Sequence, residues 1–576
     1  MTLVVCTAQA ADYYVSTSGN DSNSGTASSQ WRYCPGMEDW SGSASLNPGD
    51  TVYFRNTDTW SDYNQGSDYG VVYAVGGVTY DGETWGEGSK AVITLSSDAA
   101  AIFMLNEDDD TYETVIKGFE LTAGTSYLAS GVQINYSGGG TVNLTGATKR
   151  IQNCYIHHVG KSNQSYACYG IKIGGHNHDT HNVDIISNRV HDTGRTAITV
   201  YPSDSYSNVV GNVLICDNVV SNSGLVESSG GFGIGLKNTA EDVTIEHNYM
   251  SGCNGPAIGF GSDGTSYSGP TNIIVRYNVA HNNKDCGFYD HSPSASVRQY
   301  DVYGNLFSSN ERYGIRVTNP STDITARFYN NTFFGNCTDY GSGEVYFDGD
   351  WSGSPNIEFI NNIIYSTTAG VTPLRDIDGG LLTHSNNLYY REGGGNVVDD
   401  GGSTYTAATL TNYESTAQSG DPLFADTNSL PTNVTSTAGV SPDGLKPQQG
   451  SPAINNGTNG LALVDIDGTV FPSSEPRDIG AYETYNAPYL TSMTIGTNLT
   501  TITVRGSVGW HPYPEYRTNL LAGNWTQMAT NTFTSTYPVL ADEQYSLTWT
   551  NLIYDNAYYR TVASNENGMA EGSIPE

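Results

Sequence analysis

An eight-residue cell, apolar-x-apolar-x-x-Asn-x-apolar, recurs along the middle of this chain and constrains its fold more than any other feature. It reads Val183/Ile185/Asn188/Val190, then Val213/Ile215/Asn218/Val220 and Val243/Ile245/Asn248/Met250. Cells centred on Asn278, Asn305, Asn331 and Asn362 follow, and a degraded copy ends at Asn387. Cys154 stands in the Asn place of an earlier copy. The asparagines are 30 residues apart up to Asn278 and 25 to 31 apart after it. Such self-similarity marks a stacked architecture, because one repeat cannot bury its apolar face alone.

Leucine-rich repeats carry a similar cell, so the remainder of each repeat must arbitrate. Here it supplies a second short strand and no helix: Gly170-Ile-Lys-Ile, Ala197-Ile-Thr-Val, Gly233-Ile-Gly-Leu, Ala257-Ile-Gly-Phe, Gly287-Phe-Tyr-Asp, Gly314-Ile-Arg-Val and Gly343-Glu-Val-Tyr-Phe. Period-two alternation turns the second and fourth residues of these strands inward. Two or three short strands per coil, joined by polar turns, predict an all-β parallel β-helix. Its crossovers are right-handed, the default for parallel connections. Stacked buried asparagines would satisfy one another from coil to coil, as buried amides must.

The chain resembles the secreted right-handed parallel β-helix, pectate-lyase-like carbohydrate-active proteins. The opening Asp12-Tyr-Tyr-Val-Ser-Thr-Ser-Gly-Asn-Asp21, followed by Leu46-Asn-Pro-Gly-Asp50, resembles their cap and first coil. Ser451-Pro-Ala-Ile-Asn455 and Arg477-Asp-Ile-Gly-Ala-Tyr-Glu483 resemble their last coil. The resemblance implies a β-helix over 11–485, but this fold hosts many chemistries. Residues 488–576 lose the ladder and alternate in short strands such as Thr501–Val504, Tyr545–Trp549 and Tyr558–Val562. They read as a small β-sandwich of fibronectin or immunoglobulin type, an attachment, spacer or carbohydrate-binding module.

Composition narrows the function. Lys and Arg total 24 against 59 Asp and Glu, a net charge of −35. No net positive field exists to release counterions from nucleic acid, so that class of partner is excluded. Residues 1–10 read as a signal-peptide remnant, since Ala8-Gln9-Ala10 is a small-x-small cleavage pattern. No segment reads as a membrane span. Eight scattered cysteines match no zinc pattern. A secreted, cell-surface or periplasmic monomer is expected.

Chemistry would sit on the second strand of each coil, whose outward residues form two columns along a groove. The first is Lys172, Thr199, Gly235, Gly259, Tyr289, Arg316 and Tyr346; the second is Gly174, Tyr201, Lys237, Gly261, His291, Thr318 and Asp348. Aromatic faces stack on sugar rings, while Lys and Arg recognise carboxylate or sulfate. Lys237, His291, Arg316 and Tyr201 are the catalytic candidates, because β-elimination needs a base, a cation on the substrate carboxylate and an acid for the leaving oxygen. Lys172, Tyr289, Tyr346, Asp348 and Asp290 are the substrate-binding candidates.

Two local resemblances bear on these residues. Phe288-Tyr-Asp-His291 resembles the Phe-Asp-Pro-His stretch of mannuronan epimerases, which implies a base or acid role for His291, although Tyr289 and Asp290 depart from that pattern. Gly233-Ile-Gly-Leu-Lys237-Asn238 resembles the lysine strand of chondroitinase-B-like alginate lyases and implies a base role for Lys237, without the glutamates that would hold calcium there.

Two other constellations compete. His176, His178, Asp179 and His181 share one turn and have metal-ligand chemistry, but ordinary turn formers have the same composition. Asp204, Asp263, Asp290 and Asp348 lie in or just after the groove strands and would suit glycoside hydrolysis. Asp290 falls at an inward position, where it must be hydrogen-bonded, protonated or rotated toward the groove. The acidic run Glu107–Asp110 reads as a solvated loop open to weak calcium binding, and no specific metal site is identified. The expectation is a lyase acting on an acidic polysaccharide. A glycoside hydrolase and a non-catalytic glycan-binding surface or adhesion protein are the alternatives.

Overall fold

The computed structural model describes residues 10–484 apart from 62–69, 125, 136–142, 161–167, 175–177, 203–207, 227–230, 262–268, 292–296, 319–322, 340–342, 349–354, 429–442 and 472–475. Beyond 484 it describes the backbones of seven strands. Residues 1–9, and with them Ala8 and Gln9 of the cleavage pattern, lie outside the described residues.

Each full coil lays one strand in each of three thirteen-stranded sheets. Thr180–Ile186 enters the first sheet, Arg189–Thr193 the second and Ile198–Val200 the third, before Val210–Cys216 pairs in parallel beside Thr180–Ile186. The third sheet carries the groove columns. Its final pair alone, Asn396–Asp400 with Ser403–Thr406, is antiparallel. The apolar residues of the repeated cell fill the space between the sheets: Val183, Ile185, Val190, Ile198 and Val200 are all fully buried.

The bend from first to second sheet explains the asparagine. One residue there takes a left-handed conformation, as at Ser187 (φ 56°), Asp217 (φ 57°) and Tyr277 (φ 57°), and the next turns its side chain into the core. At Gly304 (φ 65°) a Cβ would come within 2.7 Å of the Tyr277 ring, so glycine is the residue that fits. Each inward asparagine then donates to its successor. Asn218 gives its backbone N–H (2.9 Å) and its Nδ2 (3.0 Å) to Asn248 Oδ1, and its Nδ2 also reaches the Ile185 carbonyl. The ladder starts at the Cys154 N–H and ends at Glu414. A second, shorter ladder, absent from the sequence reading, runs Asn283–Asn310–Asn336 and ends on Glu344.

The closing motifs do not form a last coil. The final second-sheet strand is Gln418–Ser419, and the described residues among 421–484 lie along the outside of the solenoid as a strap. Leu445, Ala481 and Tyr482 cover Val219, Tyr249, Val279 and Leu306, the outward residues of the second sheet. Ala462 and Phe471 cover Tyr277, Tyr303 and Tyr329 at the bend. Polar contacts fix the register: the Asn330 amide donates to the carbonyls of Asp478 and Gly480, and the Ala481 N–H to Thr332 Oγ1. The physical reason is burial. These tyrosines and aliphatics face outward from the sheet and need a cover to leave water. The strap lies on the first and second sheets and leaves the groove sheet to other uses.

After residue 488 the strands are antiparallel. Tyr489–Ile495, Leu499–Gly506 and Glu543–Thr550 make one sheet; Thr526–Gln527, His511–Arg517, Tyr558–Asn565 and Gly568–Glu571 make another.

Candidate functional site

Backbone pairing sets the two groove columns. Lys172 pairs with Thr199, Thr199 with Gly235, Gly235 with Gly259, Gly259 with Tyr289, Tyr289 with Arg316, and Arg316 with Tyr346. In the second column Lys237 pairs with Gly261, Gly261 with His291, and Thr318 with Asp348. Lys237 and His291 are therefore two strands apart, about 10 Å at the usual strand separation.

The upper end of the groove is a cation–aromatic cluster. The Lys237 ammonium lies 4.8 Å and the Lys172 ammonium 5.3 Å from the centroid of the Tyr201 ring. Lys172 also lies 5.2 Å from Tyr169, whose hydroxyl accepts from Arg195 at 3.0 Å. Neither Tyr169 nor Arg195 was singled out in the sequence. Tyr169 opens the strand Tyr169–Ile173, one place before the repeated pattern begins, and Arg195 lies in the turn before Ile198–Val200, so only the folded coils bring them together.

The lower end is a stack of arginine and tyrosine. The Arg316 guanidinium lies 5.3 Å from Tyr289, 5.5 Å from Tyr313 and 5.9 Å from Tyr346, and Tyr313 stacks on Tyr346 at 4.9 Å. Arg375 continues the stack on Tyr346 and pairs with Asp399 at 3.0 Å. Arg316 is already engaged by Asp348, with 2.6 Å between Nη2 and Oδ2. This revises its expected role: a guanidinium with a carboxylate of its own is a poor choice to neutralise that of a substrate. Asp348 is likewise committed to Arg316.

His291 sits between the two clusters, exposed to the groove. Its Nδ1 is 3.1 Å from the Tyr289 hydroxyl and 3.3 Å from Thr318 Oγ1, and its ring stacks on Tyr289. Desolvation, with Arg316 and Arg298 nearby, holds the imidazole pKa below its usual value against the opposing pull of Asp290. Burial pushes the Tyr289 phenol up. The pair therefore rests as neutral imidazole and neutral phenol at neutral pH.

Asp290 requires a correction. It faces the core, fully buried, where its Oδ2 takes Arg298 Nη1 at 2.5 Å and the Tyr300 hydroxyl at 2.9 Å. It does not line the groove, because period-two alternation turns it away from Tyr289 and His291, and Arg298 stabilises its charge inside.

Glycines shape the floor between the clusters, each differently. A Cβ on Gly259 would come within 2.8–3.0 Å of the Phe232 ring, and one on Gly235 within 2.9 Å of the same ring. Phe232 thus lies flat on those two strands. Among the described residues a Cβ at Gly261 would meet only the Lys237 stem, at 3.9 and 4.0 Å. Among those residues the position forms a slot between Lys237 and His291.

The competing constellations fall partly on residues that are not described. Asp204, Asp263 and His176 lie outside the described residues. Among the described residues no group of three or more His, Cys, Asp or Glu side chains is placed to hold a metal ion. In the acidic run Glu107 and Asp110 are exposed, as a solvated loop requires, while Asp108 pairs at 2.9 Å with the fully buried side chain of Lys149 and Asp109 accepts the backbone N–H groups of Thr111 and Tyr112. No helix among the described residues is long and apolar enough to cross a membrane.

Residues 169–364, which hold most of this groove, match the family model described as right handed beta helix region. The fold is a right-handed parallel β-helix. No curated protein matches the chain. Among solved structures, the β-helix is similar to a pectate lyase at 14% identity, covering 83% of this chain and 97% of that one with a TM-score of 0.44. It is also similar to the A-module of a mannuronan C-5 epimerase from Azotobacter vinelandii, at 14% identity over 59% of this chain and 84% of that one (TM-score 0.41). A lacto-N-biosidase from Eubacterium ramulus shares 15% identity over 63% of this chain and 64% of its own (TM-score 0.35).

Proposed function

We propose that the groove binds an acidic polysaccharide and cleaves it by β-elimination. The observation that carries this reading is the Lys172–Tyr201–Lys237 cluster set across the Gly261 slot from His291 and Tyr289. Two ammonium groups beside one aromatic ring, in a chain of charge −35, suit a sugar ring bearing a carboxylate. With a uronic-acid carboxylate on the lysines, the adjacent C5–H is acidified and His291 takes that proton. The electron pair forms the C4=C5 double bond, the C4–O bond breaks, and the leaving oxygen takes the Tyr289 proton. Lys237 thus neutralises rather than deprotonates, and the arginine stack of Arg316 and Tyr346 holds the neighbouring part of the chain.

Hydrolysis has less support. It needs two carboxylates flanking the bond, and of the described candidates Asp290 faces the core while Asp348 is held by Arg316; Asp204 and Asp263 lie outside the described residues. The Ala8-Gln9-Ala10 pattern supports export, with the enzyme acting as a secreted monomer. The antiparallel strands after residue 488 are read as a small β-sandwich that tethers or spaces the enzyme.

The deciding experiment incubates the protein with alginate, pectin, glycosaminoglycans and sulfated algal glycans and follows ultraviolet absorbance of an unsaturated product. Lys237→Ala and His291→Ala should each lower turnover by about 10²–10⁴-fold. Wild-type rates in both variants would refute the site. Binding with no product would favour the non-catalytic surface protein, and reducing ends without absorbance would favour the hydrolase.

A further inference from the structure

Two hydroxyl oxygens, those of Tyr289 and Thr318, converge on Nδ1 of His291, and the hydrogens they carry decide which ring nitrogen is free. Thr318 Oγ1 lies 3.2 Å from the carbonyl oxygen of Asp290. A carbonyl has no hydrogen, so the Thr318 hydroxyl is the donor in this contact, and with its single proton placed there it has none to give to His291 or to Tyr289, which it also meets. What Thr318 turns toward His291 Nδ1, at 3.3 Å, is a lone pair. Two lone pairs facing each other would repel, so Nδ1 carries the proton. The Tyr289 hydroxyl, 3.1 Å from the same nitrogen, accepts from it as well, and its own proton is left for another acceptor.

We infer that Thr318 is a positioning residue, fixing His291 in the Nδ1–H tautomer so that Nε2 is the proton-accepting nitrogen and the Tyr289 hydroxyl is free to donate. Which nitrogen of a histidine is protonated is generally set by the hydrogen bond the other makes. Here that bond comes from a groove-column residue that touches no reacting atom. Thr318 is buried beneath the site, 7% exposed, and its strand position is fixed by pairing with Asp348. Without its hydroxyl the competing arrangement becomes available: Tyr289 donates to Nδ1, Nε2 takes the proton, and base and acid are disabled together. The consequence for turnover rests on the proposed lyase reading, whereas the tautomer does not.

The test therefore reads both. In the full-length protein labelled with ¹⁵N-histidine, two-bond ¹H–¹⁵N correlation spectra distinguish the tautomers, and His291→Asn identifies the signals. Wild type should show a protonated Nδ1 and a bare Nε2. Thr318→Val, close to isosteric, should populate the Nε2–H form and lower kcat by roughly ten- to a hundredfold with little change in KM, a part of what an acid–base group supplies. Thr318→Ser should restore both, and Tyr289→Phe, which removes the competing donor, should keep the Nδ1–H form. An Nε2–H signal in wild type, or an unchanged spectrum in Thr318→Val, would overturn the inference. A tautomer that moves in a protein cleaving no glycan would leave Thr318 its role and sink the lyase reading instead. A tautomer that moves with kcat unchanged would remove His291 from the chemistry.

Discussion

Asn387 ends the long amide ladder on Glu414: its backbone N–H lies 2.8 Å from Glu414 Oε1 and its Nδ2 3.1 Å from Oε2. Every asparagine above it offers two donors downstream, and each after Asn188 receives two from upstream; Asn188 receives only the Cys154 N–H. The last one has donors and no further amide, so the ladder must close on a group that accepts twice. A carboxylate does this, and the shorter ladder closes the same way, on Glu344.

The ladder's direction predicts unequal costs. Asn248→Leu leaves the Asn218 N–H and Nδ2 without their acceptor in a buried site, and should destabilise the β-helix by about 1–3 kcal/mol. Glu414→Leu removes two acceptors and the Tyr389 hydroxyl's partner, and should cost at least as much, whereas Glu414→Gln keeps one acceptor and should fall between wild type and Leu. Urea unfolding of the three variants checks the order; a Glu414→Leu variant as stable as wild type would contradict it.

Buried carboxyls make stability fall as pH rises. Burial pushes Glu344 up to about 8 from 4.5, and Asp376 and Asp465 up to about 6 from 3.8. Asp478 and Glu483 in the strap are raised for the same reason. A raised folded pKa means that the folded state holds the proton while the unfolded chain has released it. The contribution is complete below about pH 4, declines through the window up to the folded values, and is gone above them. Melting temperatures of wild type and Glu344→Gln, measured from pH 5 to 9, should show a shallower decline in the variant, because glutamine does not titrate. Parallel curves would show that Glu344 ionises normally.

Two neighbouring glycines should behave oppositely. Gly259→Ala drives a methyl group into the Phe232 ring and should destabilise the fold, by about 1–3 kcal/mol for an overpacked site. Among the described residues Gly261→Phe meets only the flexible Lys237 stem, so it should fold with near-wild-type stability while filling the slot and weakening glycan binding. Thermal melts and affinity measurements on both variants test the pair; tight binding by Gly261→Phe would move the substrate path elsewhere.

Arg316 and Asp348 should be coupled. Arg316→Ala leaves the Asp348 carboxylate facing an anionic substrate and should raise KM, and the double variant Arg316→Ala/Asp348→Ala should recover part of the loss. Kinetics of the two singles and the double give the coupling. Additive losses would mean that Arg316 contacts substrate directly.

The asparagine cell and the alternating second strands determined by themselves that this chain stacks parallel coils, and which residues share a groove column. Those properties follow from backbone periodicity: once Asn218 and Asn248 occupy equivalent bends, Tyr201, Lys237 and His291 fall on one face. The tertiary structure alone decided the rest. Ser451–Asn455 and Arg477–Glu483 have the look of a closing coil, yet they strap the outer tyrosines, because their partners lie about a hundred residues or more away in sequence, as Asp478 does from Asn330, and no local pattern encodes that pairing. Asp290 and Asp348 are equally acidic in sequence, but one meets Arg298 inside and the other Arg316 outside, so which charges cancel was settled by side-chain geometry. Gly259 and Gly261 are indistinguishable as letters. Only the resting place of the Phe232 ring makes one a packing requirement and the other an opening, since close contact between side chains is a property of the packed solid and not of the repeat.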